Sequence, residues 1–145
     1  MLDGIQDPYN FGAILRAAEV LGVDAVFIAA AGQVGVTSMV VRSSAGAVNR
    51  LPLAVVDDLV ALVAELKARG MRVAGASEKA AELLAGFDFS AAAVVVIGNE
   101  GRGPRPEILA ACDALVRIPQ AGRIGSLNAS VAAGICFYEA RRQRG

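Results

Sequence analysis

Three loops carry the polar side chains of this sequence that could do chemistry together. They cover residues 3–12 (DGIQDPYNFG), 98–104 (GNEGRGP) and 118–130 (IPQAGRIGSLNAS), and each combines small residues with charged, amide or hydroxyl groups. Because the chain contains no histidine, it lacks the usual general base and the commonest metal ligand. Catalysis would therefore have to depend on arginine, carboxylate, serine or asparagine side chains, or on an organic cofactor.

Arg16 lies one helical turn after Gly12, in a stretch (7–22, DPYNFGAILRAAEVLG) with the apolar spacing of an amphipathic helix. One interpretation is an exposed arginine paired with Glu19. The other is that small residues one turn earlier leave open space beside the guanidinium, where a phosphate or ribose could approach the helix start. Asn10 is predicted to be the N-cap of this helix.

Glu100 lies in the second loop between two glycines, where the backbone can turn sharply and approach a ligand closely. Its carboxylate could pair with an arginine from elsewhere in the chain, or stay in water. In the third loop, Ser126 and Asn128 flank Leu127 just before a predicted helix, so either could be the N-cap of that helix. These groups are candidates for a site, although capping or solvation is the simpler interpretation.

None of the loops matches a common nucleotide-binding fingerprint. The stretch GNEGRG lacks the G-x-G-x-x-G spacing, and GQVGVT at 32–37 has no lysine for a phosphate-binding loop. Both absences disfavour a dinucleotide-dependent dehydrogenase and a nucleoside triphosphatase.

Apolar runs alternate with helical patterns along the chain and place the three loops at strand ends. Strands are expected at 1–5, 24–30, 53–56, 71–76, 91–98 and 114–118, and helices at 10–22, 37–47, 57–69, 79–84, 106–112 and 128–142. Since the strands are continuous apolar runs, the pattern predicts an α/β domain whose mainly parallel sheet is covered by helices on both faces. Ligands of such sheets bind where strands end.

Length and composition indicate one globular domain, 1–145, in which 55% of residues are hydrophobic and 19% are charged. The longest apolar runs have about seven residues and no secretory signal opens the chain, so no membrane partner is predicted and a cytoplasmic location is expected. Cys112 and Cys136 are too far apart for a redox or zinc motif, and core packing is predicted for both.

The net charge is zero, but the charge is uneven. Residues 100–145 hold seven arginines against four acids, so an anionic partner would be steered towards the C-terminal third.

Taken together, the three loops resemble the signature motifs of the SpoU (TrmH) family of RNA ribose 2'-O-methyltransferases. The matching stretches are DPYNFGAILRAAEVLG, VVVIGNEGRGP and RIPQAGRIGSLNASVAAGICFYEARRQ, in the family's order and spacing. Within the family, the bacterial 23S rRNA guanosine methyltransferases are the most similar, with SSAGAVNRLPL (43–53) also alike.

The resemblance implies an α/β domain with a deep C-terminal knot and S-adenosylmethionine bent among the knot loops. It also implies a homodimer whose active sites draw on both subunits. The implied reaction is methyl transfer to a ribose 2'-hydroxyl of structured RNA, with rRNA favoured over tRNA.

Residue by residue, the resemblance implies catalytic roles for Asn10, Arg16, Glu100, Ser126 and Asn128. It implies cofactor binding by Ser77, Gly98, Ile118, Gln120 and Leu127, and no metal. Gln120 and Ala129 stand where the family usually has methionine and valine, and both departures leave the polar positions intact.

The resemblance further implies that residues 1–145 are a catalytic domain lacking part of its first strand and the N-terminal RNA-binding domain that family members commonly carry. Two other function classes stay open from the residues alone. One is a cofactor- or RNA-binding module without catalysis, and the other is an unrelated α/β nucleotide binder.

Overall fold

All 145 residues are described by the computed structural model, in which seven strands form one fully parallel sheet. The strands are β1 (Leu2–Asp3), β2 (Val26–Ala29), β3 (Leu53–Val56), β4 (Arg72–Ala76), β5 (Glu82–Leu83), β6 (Ala93–Gly98) and β7 (Ala114–Arg117). The helices are α1 (Pro8–Val20), α2 (Ser38–Ser43), α3 (Leu59–Ala68), α4 (Pro106–Ala111) and α5 (Ala129–Arg144). The predicted α/β class is confirmed.

The strand order in the sheet is β3-β2-β1-β6-β4-β7-β5. The strands that follow β1 in the chain are first added on one side of it, and later strands are added on the other side. Strands β2 and β3 lie successively outside β1 on one side. Helix α3 then connects β3 to β4 on the other side, and β6 lies between β1 and β4. Leu2 in β1 accordingly pairs with Ile28 on one side and with Ile97 on the other. Open α/β sheets bind ligands at the carboxyl ends of strands beside such a change of side.

Helices cover both faces of the sheet, as predicted. One face carries α1, α2 and α5, whose buried residues include Phe11, Val40 and Cys136. The other carries α3 and α4, which bury Val63 and Ile108 against the sheet. Because the strands are apolar throughout, both faces can be buried in this way. None of the helices combines the length and apolar character that crossing a bilayer requires.

Both cysteines are free thiols, in agreement with the predicted packing role. Burial raises the pKa of Cys136 to about 12 and that of the half-buried Cys112 to about 11. Neither thiol forms a reactive thiolate near neutral pH.

The prediction that Asn10 caps α1 is wrong. Asp7 is the cap, since its carboxylate accepts a hydrogen bond from the Tyr9 backbone N–H at 2.9 Å, and the helix begins at Pro8. Proline suits the first helical position because it has no N–H to leave unpaired, so the helix begins before Asn10. Asn10 lies inside the first turn, and its side chain is available for other contacts.

The helix predicted at 79–84 is also wrong. Glu82–Leu83 forms β5, which pairs in parallel with β7, and a 3-10 turn follows at Leu84–Gly86. A tertiary pairing with a strand more than thirty residues away therefore overrides the local helical pattern. The helix predicted at 37–47 ends at Ser43, because Ala45 and Gly46 adopt positive φ angles of 51° and 82°.

Candidate cofactor pocket and active site

A cavity of about 950 Å³ opens at the carboxyl ends of β1, β4, β6 and β7. Its wall contains all five residues predicted to bind a cofactor, namely Ser77, Gly98, Ile118, Gln120 and Leu127. Glu100 and Ser126 of the predicted catalytic set also line it, whereas Asn10, Arg16 and Asn128 do not. The second and third loops thus form one cavity, as their places after strands of one sheet predicted.

The second loop folds back onto the end of β6 and is tied to the first loop. A Cβ on Gly98 would lie 1.8 Å from the Pro104 nitrogen, so only glycine permits this approach. The Asn99 side chain accepts a hydrogen bond from the Gly101 N–H at 3.0 Å and donates one to the Gly4 carbonyl at 2.9 Å. The loop shape is therefore set by an asparagine turn next to the glycine.

A buried carboxylate anchors the same wall of the cavity from β1. Asp3 is only 3% exposed, and its side chain accepts bonds from the Arg105 backbone N–H at 2.7 Å and from Arg105 Nε at 2.9 Å. Both residues line the cavity. Pairing with the guanidinium stabilises the desolvated carboxylate and ties the strand to the start of α4.

Glu100 joins the first and second loops through its carboxylate. It accepts hydrogen bonds from the Asp7 N–H at 3.0 Å, the Gln6 N–H at 3.2 Å and Asn10 Nδ2 at 3.2 Å. No arginine pairs with it. Burial by itself would raise the pKa of Glu100, but these hydrogen bonds and one from its own N–H hold that pKa below its ordinary value. The carboxylate is ionised at neutral pH.

Asn128 extends this network to the third loop. Its Nδ2 donates to Asn10 Oδ1 at 2.9 Å, while its own Oδ1 accepts from the Ser130 N–H at 2.9 Å and caps α5. Asn128 is therefore the one of the two candidate caps that the helix uses, and it also belongs to a polar chain running from Glu100 through Asn10. Ser126 takes no part in capping, and lies in the cavity wall instead.

The third loop presents free backbone groups beside the cavity. No group of residues 118–127 forms a hydrogen bond within the chain. Ile118, Gln120, Ser126 and Leu127 of this segment line the cavity. Its N–H and C=O groups are consequently available to a ligand.

Arg16 is not joined to this network. Its side chain is exposed and makes no hydrogen bond or ion pair within the chain. Arg16 is the sixth residue after Asn10, so its side chain points about 120° away from that of Asn10 around the helix axis. The Glu19 carboxylate lies 3.8 Å from Arg50 instead, so the predicted pairing of Arg16 with Glu19 is wrong.

The open space predicted beside Arg16 at Gly12 is absent as well. A Cβ on Gly12 would lie 1.8 Å from Ser43 Oγ, because α2 packs directly on α1 at this position. The glycine permits contact between two helices. The surroundings of Arg16 are open only on its solvent side.

Sequence reasoning missed the residues that hold the loops in place. Asn99 carried a signal, because asparagine between glycines favours a turn. Asp3 and Arg105 carried none, since their contact spans 102 residues of sequence. Gln33, whose Oε1 accepts from the Ile5 N–H at 2.9 Å, was missed for the same reason.

Comparison with known proteins identifies the family. The model of the SpoU rRNA Methylase family matches residues 1–138. The chain is 41% identical over 144 residues to the 23S rRNA (guanosine-2'-O-)-methyltransferase RlmB of Ralstonia nicotianae and 39% identical to the TrmH family tRNA/rRNA methyltransferase YacO of Bacillus subtilis. Each alignment covers 99% of this chain and 58% of the relative, so the chain spans somewhat over half the length of these relatives.

Solved structures agree with the sequence relatives. The SpoU methyltransferase AviRb of Streptomyces viridochromogenes, in complex with AdoMet, superposes with a TM-score of 0.91 at 33% identity, over 99% of this chain and 56% of that one. An AdoMet-bound rRNA methyltransferase of Sinorhizobium meliloti superposes with a TM-score of 0.90 at 32% identity, over 97% of this chain and 54% of that one. With its fold, its three loops and nearly its whole length matched, the chain belongs to the SpoU rRNA methylase family.

Proposed function

We propose that this chain binds S-adenosylmethionine in the cavity at the strand ends and transfers its methyl group to a ribose 2'-hydroxyl of structured RNA. We propose rRNA as the substrate, with tRNA as the second candidate. The observation that carries the proposal is the polar chain from Glu100 through Asn10 to Asn128, which joins the three family motifs and reaches the cavity wall at Glu100. The relatives named for rRNA and tRNA methylation support the substrate class.

The cavity has the chemistry that S-adenosylmethionine needs. Unpaired backbone N–H and C=O groups in residues 118–127 can read the edge of an adenine, and the apolar Ile118 and Leu127 can contact its ring. The wall carries carboxylates (Asp3, Glu78 and Glu100) and basic groups (Lys79, Arg102, Arg105 and Arg117), so it offers both charge signs to a ligand that itself has a carboxylate, an ammonium and a sulfonium group. Ser77 lies at the end of β4 within reach of the ligand's polar groups.

The cofactor supplies the reactive methyl carbon, so the protein has to position the ribose and help the 2'-hydroxyl lose its proton. Glu100 holds the Gln6–Asp7 backbone and Asn10 in place, and Asn10 in turn positions Asn128. A guanidinium is a poor base because it stays protonated throughout the physiological pH range. Arg16 would therefore bind the adjacent phosphate and polarise the 2'-hydroxyl, and the proton would leave to phosphate or water.

A homodimer would bring Arg16 to a cavity. Within one protomer, Arg16 lies outside the cavity wall and makes no contact with the polar network. We propose that two copies pair so that Arg16 of one protomer serves the cavity of its partner, as the family resemblance implies. We also propose the C-terminal knot that the resemblance implies. A cytoplasmic location is proposed as well, because an rRNA substrate would be found there.

The test has two steps, performed on the 145-residue chain. Isothermal titration with S-adenosylmethionine is expected to show saturable binding, and transfer of labelled methyl groups to large-subunit rRNA fragments is expected above a background reaction without enzyme. The absence of binding at millimolar cofactor would contradict the cofactor site. Binding without transfer to rRNA or tRNA would favour a module that has no catalysis of its own.

The modified position is identified by nuclease digestion and mass spectrometry of the product. A methyl group on the ribose resists alkaline cleavage of the adjacent phosphodiester, whereas a methylated base does not. Stoichiometric transfer to rRNA but not to tRNA would support the preferred substrate, and the reverse would favour tRNA.

A further inference from the structure

One surface beside α1 has an excess of positive charge. Arg16 and Glu19 are the only charged residues of α1, and residues 25–56, which include α2, contain Arg42 and Arg50 and no acid. The α2 helix and the 3-10 turn at Ala47–Asn49 pack directly on α1. These two segments together hold three arginines and one carboxylate, with Asp24 in the turn between them.

Arg50 lies close to the one carboxylate of α1. Arg50 Nη1 lies 3.8 Å from Glu19 Oε1, a separation too long for a hydrogen bond. Glu19 is one turn after Arg16, about 4.5 Å further along the helix axis. Glu19 is thus the carboxylate close to both arginines, one helical turn from Arg16 along α1 and 3.8 Å from the Arg50 guanidinium.

The arginines that stabilise this fold are paired differently. Arg105 is bound to Asp3 at 2.9 Å and Arg142 to Glu139 at 2.7 Å, and each carboxylate is largely buried. The Arg50 side chain is 76% exposed and its only ionic contact is the long one. An exposed pair of this kind contributes little to stability, so stability alone does not explain its position.

We propose that Arg50 is an RNA-phosphate ligand beside Arg16, and that Glu19 is the counter-ion that the RNA phosphate displaces. The inference rests on the proposed RNA-methylating function and adds a binding surface outside the three family motifs. A guanidinium can bind a phosphate through two parallel hydrogen bonds, whereas its contact with Glu19 is a single long one. The contact carries no base readout and serves to position the RNA.

The experiment measures the affinity of a labelled large-subunit rRNA stem-loop by fluorescence anisotropy over a series of salt concentrations. Arg50→Ala is expected to weaken binding about three- to tenfold and to reduce the salt slope by about one phosphate contact. Arg50→Lys keeps a positive charge and should keep most of the slope. Cofactor titration and circular dichroism of each variant check that the fold and the cavity are intact.

Displacement of Glu19 is tested by a double-mutant cycle. Glu19→Gln is expected to strengthen RNA binding about two- to fivefold, the scale of an exposed ion pair. The gain should disappear in Glu19→Gln/Arg50→Ala, because no guanidinium is then released. The matched controls are Arg69→Ala and Glu65→Gln, an exposed pair on α3 at the opposite face, which should leave affinity within about twofold of the parent.

Unchanged affinity and slope in Arg50→Ala, with RNA binding by the parent chain intact, would overturn this surface and leave the proposed function standing. A gain from Glu19→Gln that persists without Arg50 would show that overall charge, and not displacement, controls binding. A parent chain that neither binds nor methylates RNA would overturn both proposals.

Discussion

At the scale of single residues, the site depends on a carboxylate that binds backbone. Glu100 accepts from the N–H groups of Gln6 and Asp7, and so holds the first loop against the second. The same carboxylate bonds Asn10, which reaches Asn128. These four contacts join the three loops, and Glu100 connects them to the cavity wall.

Arg16 is predicted to be needed for catalysis and dispensable for folding. Arg16→Ala should leave fold, assembly and cofactor binding unchanged and reduce methyl transfer about a hundredfold or more, the scale of losing one positioned stabilising group. Arg16→Lys should restore little, because an ammonium lacks the planar fork of the guanidinium. Single-turnover methyl transfer to RNA is the measurement, with Arg69→Ala as a control for loss of an exposed arginine. A rate for Arg16→Ala within about threefold of the parent would show that Arg16 is an exposed arginine without a catalytic role.

Glu139 is predicted to make stability depend on acid pH. Hydrogen bonds from Arg142 and Gln143 lower the pKa of Glu139 from 4.5 to about 2. The unfolded chain therefore binds more protons than the folded one in this interval, so the contribution of Glu139 is present above about pH 4.5 and is lost as pH falls towards 2. Glu139→Gln should lower the thermal midpoint at neutral pH and reduce its fall over this window.

Thermal melts across the acid range test the Glu139 prediction. The control is Asp24→Asn, which removes a carboxylate that makes no hydrogen bond or ion pair. If the two variants lose stability in parallel with the parent as the pH falls, Glu139 does not carry the effect.

At the scale of elements, the position of α2 depends on a glycine in α1. Gly12→Ala would place its Cβ 1.8 Å from Ser43 Oγ and 2.7 Å from Ser43 Cβ. Relief requires the two helices to separate, and overpacking of this kind costs about 1–3 kcal/mol. Urea unfolding should show that loss for Gly12→Ala, and a smaller loss when the substitution is made in a Ser43→Gly background. Equal losses in both backgrounds would mean that Ser43 is not the obstacle.

The loop at 118–127 is predicted to be one wall of the cofactor site. Leu127→Trp should fill the cavity and weaken S-adenosylmethionine binding about tenfold or more, which corresponds to the energy of overpacking. Ile124→Trp is the matched control, because Ile124 lies in the same loop but is 81% exposed and outside the cavity wall. The affinity of both folded variants for S-adenosylmethionine is measured by calorimetry. An affinity of Leu127→Trp equal to that of the parent would show that this loop is not part of the cofactor site.

At the scale of the whole molecule, the last helix leaves an apolar stripe without a partner. Val131 and Tyr138 are 49% and 60% exposed, and Ile135 lies between them on the same side of α5. Ala133, Cys136 and Phe137 are buried in the core and form the inward side of the helix. A stripe of this kind fits the isologous interface of a two-fold dimer.

The chain is predicted to sediment as a dimer at micromolar concentration, and Val131→Glu should shift it towards the monomer because it buries a charge in the interface. Val55→Glu introduces the same charge at another valine, 67% exposed on the edge strand β3, and should leave the dimer intact. A monomeric parent chain would contradict the prediction. It would also contradict the proposal that Arg16 of one protomer acts at the cavity of its partner.

The sequence by itself determined the α/β class, the strand at Leu53–Val56 and a helix start at Asp57 or Asp58, and it narrowed the cap of α5 to Ser126 or Asn128. These follow from apolar periodicity and from side chains that bond backbone two or three residues away, and both are local. The three motifs also pointed to the loops that form the cavity, because parallel strands end at the same edge of a sheet.

Only the tertiary structure decided which groups meet at that edge. Glu100 finds its partners 90 to 94 residues away, and Arg105 finds Asp3 at a separation of 102. These contacts exist because β6 inserts between β1 and β4, and no local pattern records the order of strands. The same physics created β5 where a helix was predicted, since pairing with β7 outweighs the local preference of Glu82–Leu83. Local chemistry set most of the elements, and long-range packing set β5 and the contacts of the site.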